Sequence, residues 1–221
     1  MSKMNRPRIC ATIVNNDPEA VRKVEPLVDL FEVRIDLIGD DWPELAGELK
    51  KPWIACNRPA NEGGKWAGNE ARRIEKLLQS IELGADIVDV ELTTKNLGNI
   101  VKLIKKKTKC LISSHNLEKT PPLGTMKQII EEQTKAGADI CKLVTTARSF
   151  EDNLTILQLI RETPRKALVA FAMGPLGIAS RIFCPLVGGD FTYASIERGK
   201  EAAPGQVAVT DLVRIYEMIK A

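Results

Sequence analysis

Histidine occurs once and cysteine five times in 221 residues, and no two cysteines are close in sequence. Without a C-x-x-C pair, neither a zinc ribbon nor a thioredoxin-type redox motif is available. An odd number of thiols on mostly apolar segments (Cys10, Cys56, Cys110, Cys141, Cys184) fits buried cysteines in a reducing compartment. No G-x-G-x-x-G follows any strand-like run, so the dinucleotide fingerprint is missing. The N-terminal Met1-Ser2-Lys3-Met4-Asn5-Arg6-Pro7-Arg8 is polar and holds no apolar stretch of the kind a secretory signal needs. The longest uncharged segment, 167–180, is shorter than the roughly 20 residues that cross a bilayer, and Gly174, Pro175 and Gly177 interrupt it. A soluble, cytoplasmic protein with no membrane partner is expected. An excess of one charge is also missing: 32 Lys+Arg against 29 Asp+Glu leaves +3, too balanced for a dedicated nucleic-acid binder. The basic run 102–109 reads as a solvated helix end, where cations suit the dipole.

The apolar fraction of 44% excludes disorder, and 15 Gly with 12 Pro exclude a collagen-like chain. Strand-like runs at 9–14, 30–37, 53–57, 86–92, 109–113, 139–145, 166–173 and 191–194 alternate with helix-period segments. Those segments are 18–28, 42–49, 69–83, 95–106, 122–136, 149–162, a weak one at 177–183, and 207–219. Asn15-Asn16-Asp17 before the first helix, Gly84 and Gly137 after the third and fifth, and Pro164 after the sixth are boundary signals. Eight strand–helix units without a linker predict one α/β domain spanning residues 1–221, a (β/α)8 TIM barrel. A doubly wound open sheet is the structural rival, weakened by the missing glycine fingerprint.

The second strand places Phe31, Val33, Ile35 and Leu37 on one face and Glu32, Arg34 and Asp36 on the other. In a sandwich the polar face would simply be solvated. In a barrel, helices cover the outer face, so these charges point into the lumen, where they must be paired or used. The fourth strand repeats the pattern with Asp89 and Glu91.

Lys142 lies inside the apolar run Ile140-Cys141-Lys142-Leu143-Val144. It could snorkel or pair with Glu32, Asp89 or Glu91. Alternatively, desolvation lowers its pKa and leaves a neutral amine able to attack a ketone. The single histidine, His115, follows the neighbouring strand; it is either a surface loop residue or the general base near neutral pH. Arg34, Arg58 and Arg181 together could bind the carboxylate and polar substituents of a small polyhydroxy acid.

These segments resemble the type I 3-dehydroquinate dehydratases. The resemblance runs through Glu32-Val33-Arg34-Ile35-Asp36-Leu37, Arg58 with Glu62-Gly63-Gly64, Asp89-Val90-Glu91-Leu92, Ser114-His115-Asn116 and Lys142-Leu143-Val144. It continues through Met173-Gly174, Leu176-Gly177, Ser180-Arg181 and Ala203-Pro204-Gly205-Gln206. It implies a (β/α)8 fold and the dehydration of 3-dehydroquinate to 3-dehydroshikimate, in the shikimate pathway, with no metal or organic cofactor. On the same basis Lys142 forms an imine with the substrate ketone, His115 shuttles protons and Glu62 orients the histidine. Glu32, Arg34 and Arg58 hold ring hydroxyls, Arg181 the carboxylate, and Gln206 closes over the substrate. Thr12 matches a small hydroxyl residue at the end of the first strand, and Met173 a methionine packing on the ring. Family members are commonly dimers, so a homodimer is implied.

Two features depart from the family. Ala202 stands where a serine or threonine is common, and little chain precedes Ile9, so the barrel floor is expected to be closed by side chains alone. The polar segment 194–204 is long for a βα loop and is expected to act as a mobile lid. Rival readings are a class I aldolase or transaldolase, which the Glu-x-Arg strand and Ser-His-Asn loop disfavour, and a non-catalytic ligand-binding barrel, in which Lys142 is only an ion-pair partner. Because the sequence offers no recognisable metal-ligand spacing, dialysis against EDTA is expected to leave turnover unchanged; zinc or magnesium restoring a lost rate would contradict this.

Overall fold

The computed structural model describes residues 7–164 and 167–220. Eight strands alternate with helices: β1 Ile9–Ile13, β2 Leu30–Arg34, β3 Trp53–Cys56, β4 Ile87–Glu91, β5 Lys109–His115, β6 Ile140–Thr146, β7 Leu168–Met173 and β8 Thr192–Ser195. A two-residue strand, β9 (Val207–Ala208), was not foreseen. The helices are α1 Pro18–Val24, α2 Ile35–Ile38, α3 Trp42–Gly47, α4 Glu70–Glu82, α5 Leu97–Ile104, α6 Leu123–Lys135, α7 Glu151–Glu162, α8 Ile178–Phe183 and α9 Val209–Lys220. Asp17 caps α1 by accepting from Ala20 N at 3.0 Å, as its position predicts. No helix among the described residues is long and apolar enough to cross a membrane.

All pairings are parallel, in the order β7-β6-β5-β4-β3-β2-β1-β8-β9. The sheet curls into a (β/α)8 barrel. Among the described residues no ladder joins β7 to β8; Asp190 N donates to Leu168 O at 2.9 Å across that seam, and the Phe171 and Tyr193 rings meet edge-on.

Period-2 alternation sorts the strand residues between two environments. Outward-facing Phe31, Val33, Val88, Val90 and Ile112 pack with Val24, Leu45, Leu77 and Ile104 from the helical layer. A separate inward cluster contains Cys10, Leu30, Ile54, Ile87, Leu111, Ile140 and Val169, one from each of the first seven strands, with Phe191 and Tyr193. This apolar plug closes the N-terminal end of the lumen. The next inward positions toward the strand C-termini are polar, and they form the site.

Most element boundaries shift by one or two residues from the sequence reading, and several of the shifts reposition named residues. β2 stops at Arg34, and the chain turns into α2, so Asp36 is not a lumen-facing strand residue. Its carboxylate instead accepts from Arg34 and from the backbone N–H groups of Arg58 and Lys65, which holds the turn. β5 runs on through His115, which is therefore a strand residue and not a loop residue. Gln206 precedes β9, and α9 begins at Val209. The seventh strand begins at Leu168, and the start expected at Lys166 lies outside the described residues, as does most of the polar N-terminus.

Leu111 is fully buried in the floor cluster. Leu111→Ala is expected to lower folding stability by about 2–5 kcal/mol, read from the urea unfolding midpoint; an unchanged midpoint would mean the lumen floor can collapse without cost.

Candidate active site

Every residue singled out from the sequence lines one pocket of about 280 Å³ at the C-terminal mouth: Lys142, His115, Glu62, Thr12, Glu32, Arg34, Arg58, Met173, Arg181 and Gln206. All of the eight barrel strands except β4 contribute to its lining, which is how a barrel assembles a site from distant segments.

Lys142, mid-strand on β6, is buried with its Nζ 3.2 Å from Glu32 Oε1 and 3.0 Å from Asp89 Oδ2. The Tyr193 ring lies beneath the ammonium, 4.2 Å from Nζ to centroid. Burial would lower the lysine pKa, but Asp89 and Glu32 outweigh it and raise it. Of the two alternatives the sequence offered, pairing with Glu32 and Asp89 is the one found in the free protein. The depressed pKa is not, because both carboxylates reach the amine at once. Asp89 itself is held below the usual carboxylate range: burial opposes this, but Arg58, Lys142 and the Ser113 hydroxyl prevail.

Arg58 sits just beyond β3, where the following loop folds back tightly. A Cβ on Gly64 would lie 1.9 Å from Arg58 O, so only glycine allows that approach. The Arg58 guanidinium turns inward and donates to Asp89 Oδ2, Glu91 Oε1 and Ser113 Oγ, each at 2.6 Å. Arg34 is gripped by Asp36 in a two-point pair, with contacts of 2.9 and 2.7 Å.

His115 Nδ1 donates to Glu62 Oε2 at 2.9 Å, and Thr93 Oγ1 donates to the other Glu62 oxygen at 2.7 Å. With Nδ1 engaged, the imidazole directs Nε2 away from Glu62 as the free basic atom. Burial, with Arg58 and Lys142 nearby, pushes the His115 pKa well below 6.5 despite Asp89. The imidazole is neutral near pH 7 and able to accept a proton. Burial raises the Glu62 carboxyl, against the Thr93 hydrogen bond.

Arg181, on α8, is buried over the Phe171 ring at 4.2 Å, with a long 3.4 Å contact to Pro204 O and no partner for Nε. Burial pushes its pKa down to about 9, which still leaves it charged at neutrality. A buried cation without a carboxylate partner is a ready anion site. Gln206 donates from Nε2 to Thr12 Oγ1 at 3.0 Å and accepts from the Ala202 backbone N–H at 2.7 Å. The alanine thus orients this amide through its main chain. Gly174 N donates to Pro204 O at 3.0 Å, so the inner end of the 194–204 segment is tied to the end of β7.

Asp89 was placed in the lumen but not in the site, and Tyr193, Ser113 and Thr93 were not singled out. Asp89 and Tyr193 had the signal of inward parity on their strands. Glu32, Cys56 and Asp89 also bring potential metal-ligating atoms within 4.8 Å of one another, a convergence invisible in their sequence spacing. The Lys142 ammonium lies between two of them, where a cation would bind.

Fold and site together define a (β/α)8-barrel enzyme with its reactive groups at the strand C-termini. The family model described as Type I 3-dehydroquinase matches residues 9–221. The chain belongs to this family and is a hydro-lyase. It is 41% identical over 217 residues to a 3-dehydroquinate dehydratase of Dehalococcoides mccartyi, covering 98% of this chain and 97% of the relative. To the 3-dehydroquinate dehydratase of Methanosarcina mazei it is 37% identical over 228 residues, with 96% and 94% covered. Among solved structures, the 3-dehydroquinate dehydratase of Geobacillus kaustophilus superposes with a TM-score of 0.85 at 27% identity, covering 97% of this chain and 91% of that one. The Aquifex aeolicus enzyme gives 0.80 at 26% identity, covering 96% and 98%.

The lone imidazole offers a clean titration. Its NMR signals are expected to show no midpoint near 6.5 in the folded protein and to titrate well below it. Unfolded chain binds a proton that the folded chain does not, so this group's contribution to stability is complete above pH 6.5 and is lost as pH falls through the lower folded value. A midpoint at or above 6.5 would refute the neutral base.

Proposed function

We propose that the chain dehydrates 3-dehydroquinate to 3-dehydroshikimate through an imine on Lys142, with His115 as acid and base. The observation that carries this reading is the meeting of the buried lysine, the neutral histidine and the unpartnered arginine in one pocket. Arg181 takes the substrate carboxylate. Glu32, Arg34 and Arg58 face the ring hydroxyls, Thr12 and Gln206 lie over the mouth, and Met173 packs on the ring.

His115 Nε2 first takes the Lys142 ammonium proton, and the amine lone pair attacks the C3 carbonyl. His115 returns that proton to the carbinolamine hydroxyl so that it leaves as water. Loss of water from the carbinolamine leaves an iminium. His115 Nε2 removes a C2 proton, and the C–H electrons move into the iminium to form an enamine. The enamine expels the C1 hydroxyl, which leaves as water with the proton from His115. Water then hydrolyses the iminium, so the net change is loss of one water from the substrate. Glu32, Asp89 and the Tyr193 face bound a space that favours a positive nitrogen. The carboxylates that raise the ammonium pKa therefore also stabilise the iminium. Glu62 holds the imidazole in the required tautomer and supports its charge when protonated. The same reading carries a cytoplasmic homodimer and needs no cofactor.

Incubation with 3-dehydroquinate is expected to generate the ultraviolet absorbance of a conjugated enone, and borohydride added with substrate should leave a reduced adduct on the peptide containing Lys142. Lys142→Ala should abolish both. No enone, or an adduct on another residue, would sink the mechanism.

A further inference from the structure

Arg73 is 1% exposed, although it lies on α4 outside the lumen pocket. It occupies the helix face that also buries Leu77 and Ser80, so an apolar stripe delivers a guanidinium to the back of the barrel wall. Its Nη1 donates to Glu91 Oε2 at 2.6 Å and to Asn57 O at 3.0 Å. Nε and Nη2 each donate to Glu70 at 2.8 Å, and Nη2 also donates to Thr94 Oγ1 at 3.2 Å. Glu91 offers its other oxygen to Arg58, Arg58 continues to Asp89 Oδ2, and that oxygen also receives Lys142. A row of alternating charges thus runs from partly exposed Glu70 through Arg73, Glu91, Arg58 and Asp89 to Lys142.

We propose that Arg73 is a positioning residue for the dehydration: by occupying Glu91 from behind, it keeps Arg58 on Asp89 and so limits how tightly Asp89 holds the Lys142 proton. Asp89 and Glu91 point inward from the same strand, and Arg58 lies between them. With Arg73 in place, each carboxylate has a second cation, Lys142 for Asp89 and Arg73 for Glu91. Burial raises the Glu91 carboxyl while Arg58 and Arg73 oppose that. Without Arg73, ionised Glu91 has the Thr94 hydroxyl and a single cation, and it draws that cation, Arg58, away from Asp89. Asp89 then has Lys142 as its remaining cation, and deprotonation of the amine becomes harder. The charged groups acting on Arg58 are Asp89 and Glu91 from β4, Glu32 from β2 and Lys142 from β6, with Glu62 and His115 above them. Loss of the Arg73 charge shifts the field at this cluster toward proton retention on both Lys142 and His115.

The inference rests on the imine reading of Lys142, which trapping on the unaltered protein tests separately. Arg73→Met is expected to lower kcat on the order of 10²-fold, the scale of a small misplacement in a site. KM should rise by less than kcat falls, because Arg181 still takes the carboxylate and the displaced Arg58 loses only a ring-hydroxyl contact. The limb of kcat/KM that rises with pH should move to higher pH, and borohydride trapping should slow. Adding Glu91→Gln removes the unbalanced charge, leaves an oxygen for Arg58, and should restore most of the lost turnover. Circular dichroism and the unfolding midpoint establish the folded fraction. If Arg73→Met does not fold, Arg73→Lys carries the test: one ammonium cannot serve Glu91, Glu70 and Asn57 together, so kcat should fall and the limb shift in the same direction. Protein that traps at Lys142, beside folded Arg73 variants with unaltered kcat and pH profile, would overturn this inference alone. So would a loss that tracks only the folded fraction and is not relieved by Glu91→Gln.

Discussion

Asp89 holds two cations at once, Arg58 at 2.6 Å and Lys142 at 3.0 Å, through the same carboxylate oxygen. The rest of the site depends on that double contact. An isolated carboxylate at the centre of a barrel would cost several kcal/mol to desolvate and would take up a proton instead. With both cations and the Ser113 hydroxyl present, it remains ionised and organises the groups around it. Arg58 is drawn inward from the end of β3, and Lys142 is kept from reaching for solvent.

The double contact creates a tension that the chemistry must resolve. A carboxylate that stabilises an ammonium makes the amine a poorer nucleophile in the resting protein. In the proposed mechanism the same carboxylate stabilises the cationic nitrogen of the iminium, so the penalty falls on the first proton transfer and the benefit on the later C–H cleavage. His115 is the complement of this arrangement. Cations nearby and lack of solvent keep it neutral, while Glu62 fixes which nitrogen carries the proton. The lysine and histidine thus have oppositely shifted pKa values within one pocket, a separation set by which neighbours each group faces.

Arg181 differs from the other buried arginines. Arg34, Arg58 and Arg73 each hold carboxylates, whereas Arg181 has a long contact to a carbonyl and an aromatic face. Carboxylates thus meet the arginines on the β2–β4 side of the mouth and none meets Arg181 beside β7, the asymmetry on which the proposed binding of an anionic substrate rests. The chain crossing that side is tied to Gly174 through Pro204 and to Thr12 through Ala202 and Gln206, next to Arg181.

Strand–helix alternation and inward parity were legible residue by residue. Glu32, Asp89 and Lys142 each stand at an even offset from a floor residue on the same strand, and a barrel can only direct them inward. The identities of the lysine and the lone histidine narrowed the chemistry because few side chains can supply an amine and a base near neutrality. The sign of the lysine pKa shift, the end of β2 at Arg34 and the role of Arg73 were not legible. Each depends on groups brought from distant segments: Asp89 and Glu32 onto Lys142, the Arg58 and Lys65 amides onto Asp36, and Glu91 onto Arg73. Local sequence determines which face a side chain occupies, since backbone geometry has a short period. Electrostatic environment depends on distances across strands, and only closure of the barrel sets those.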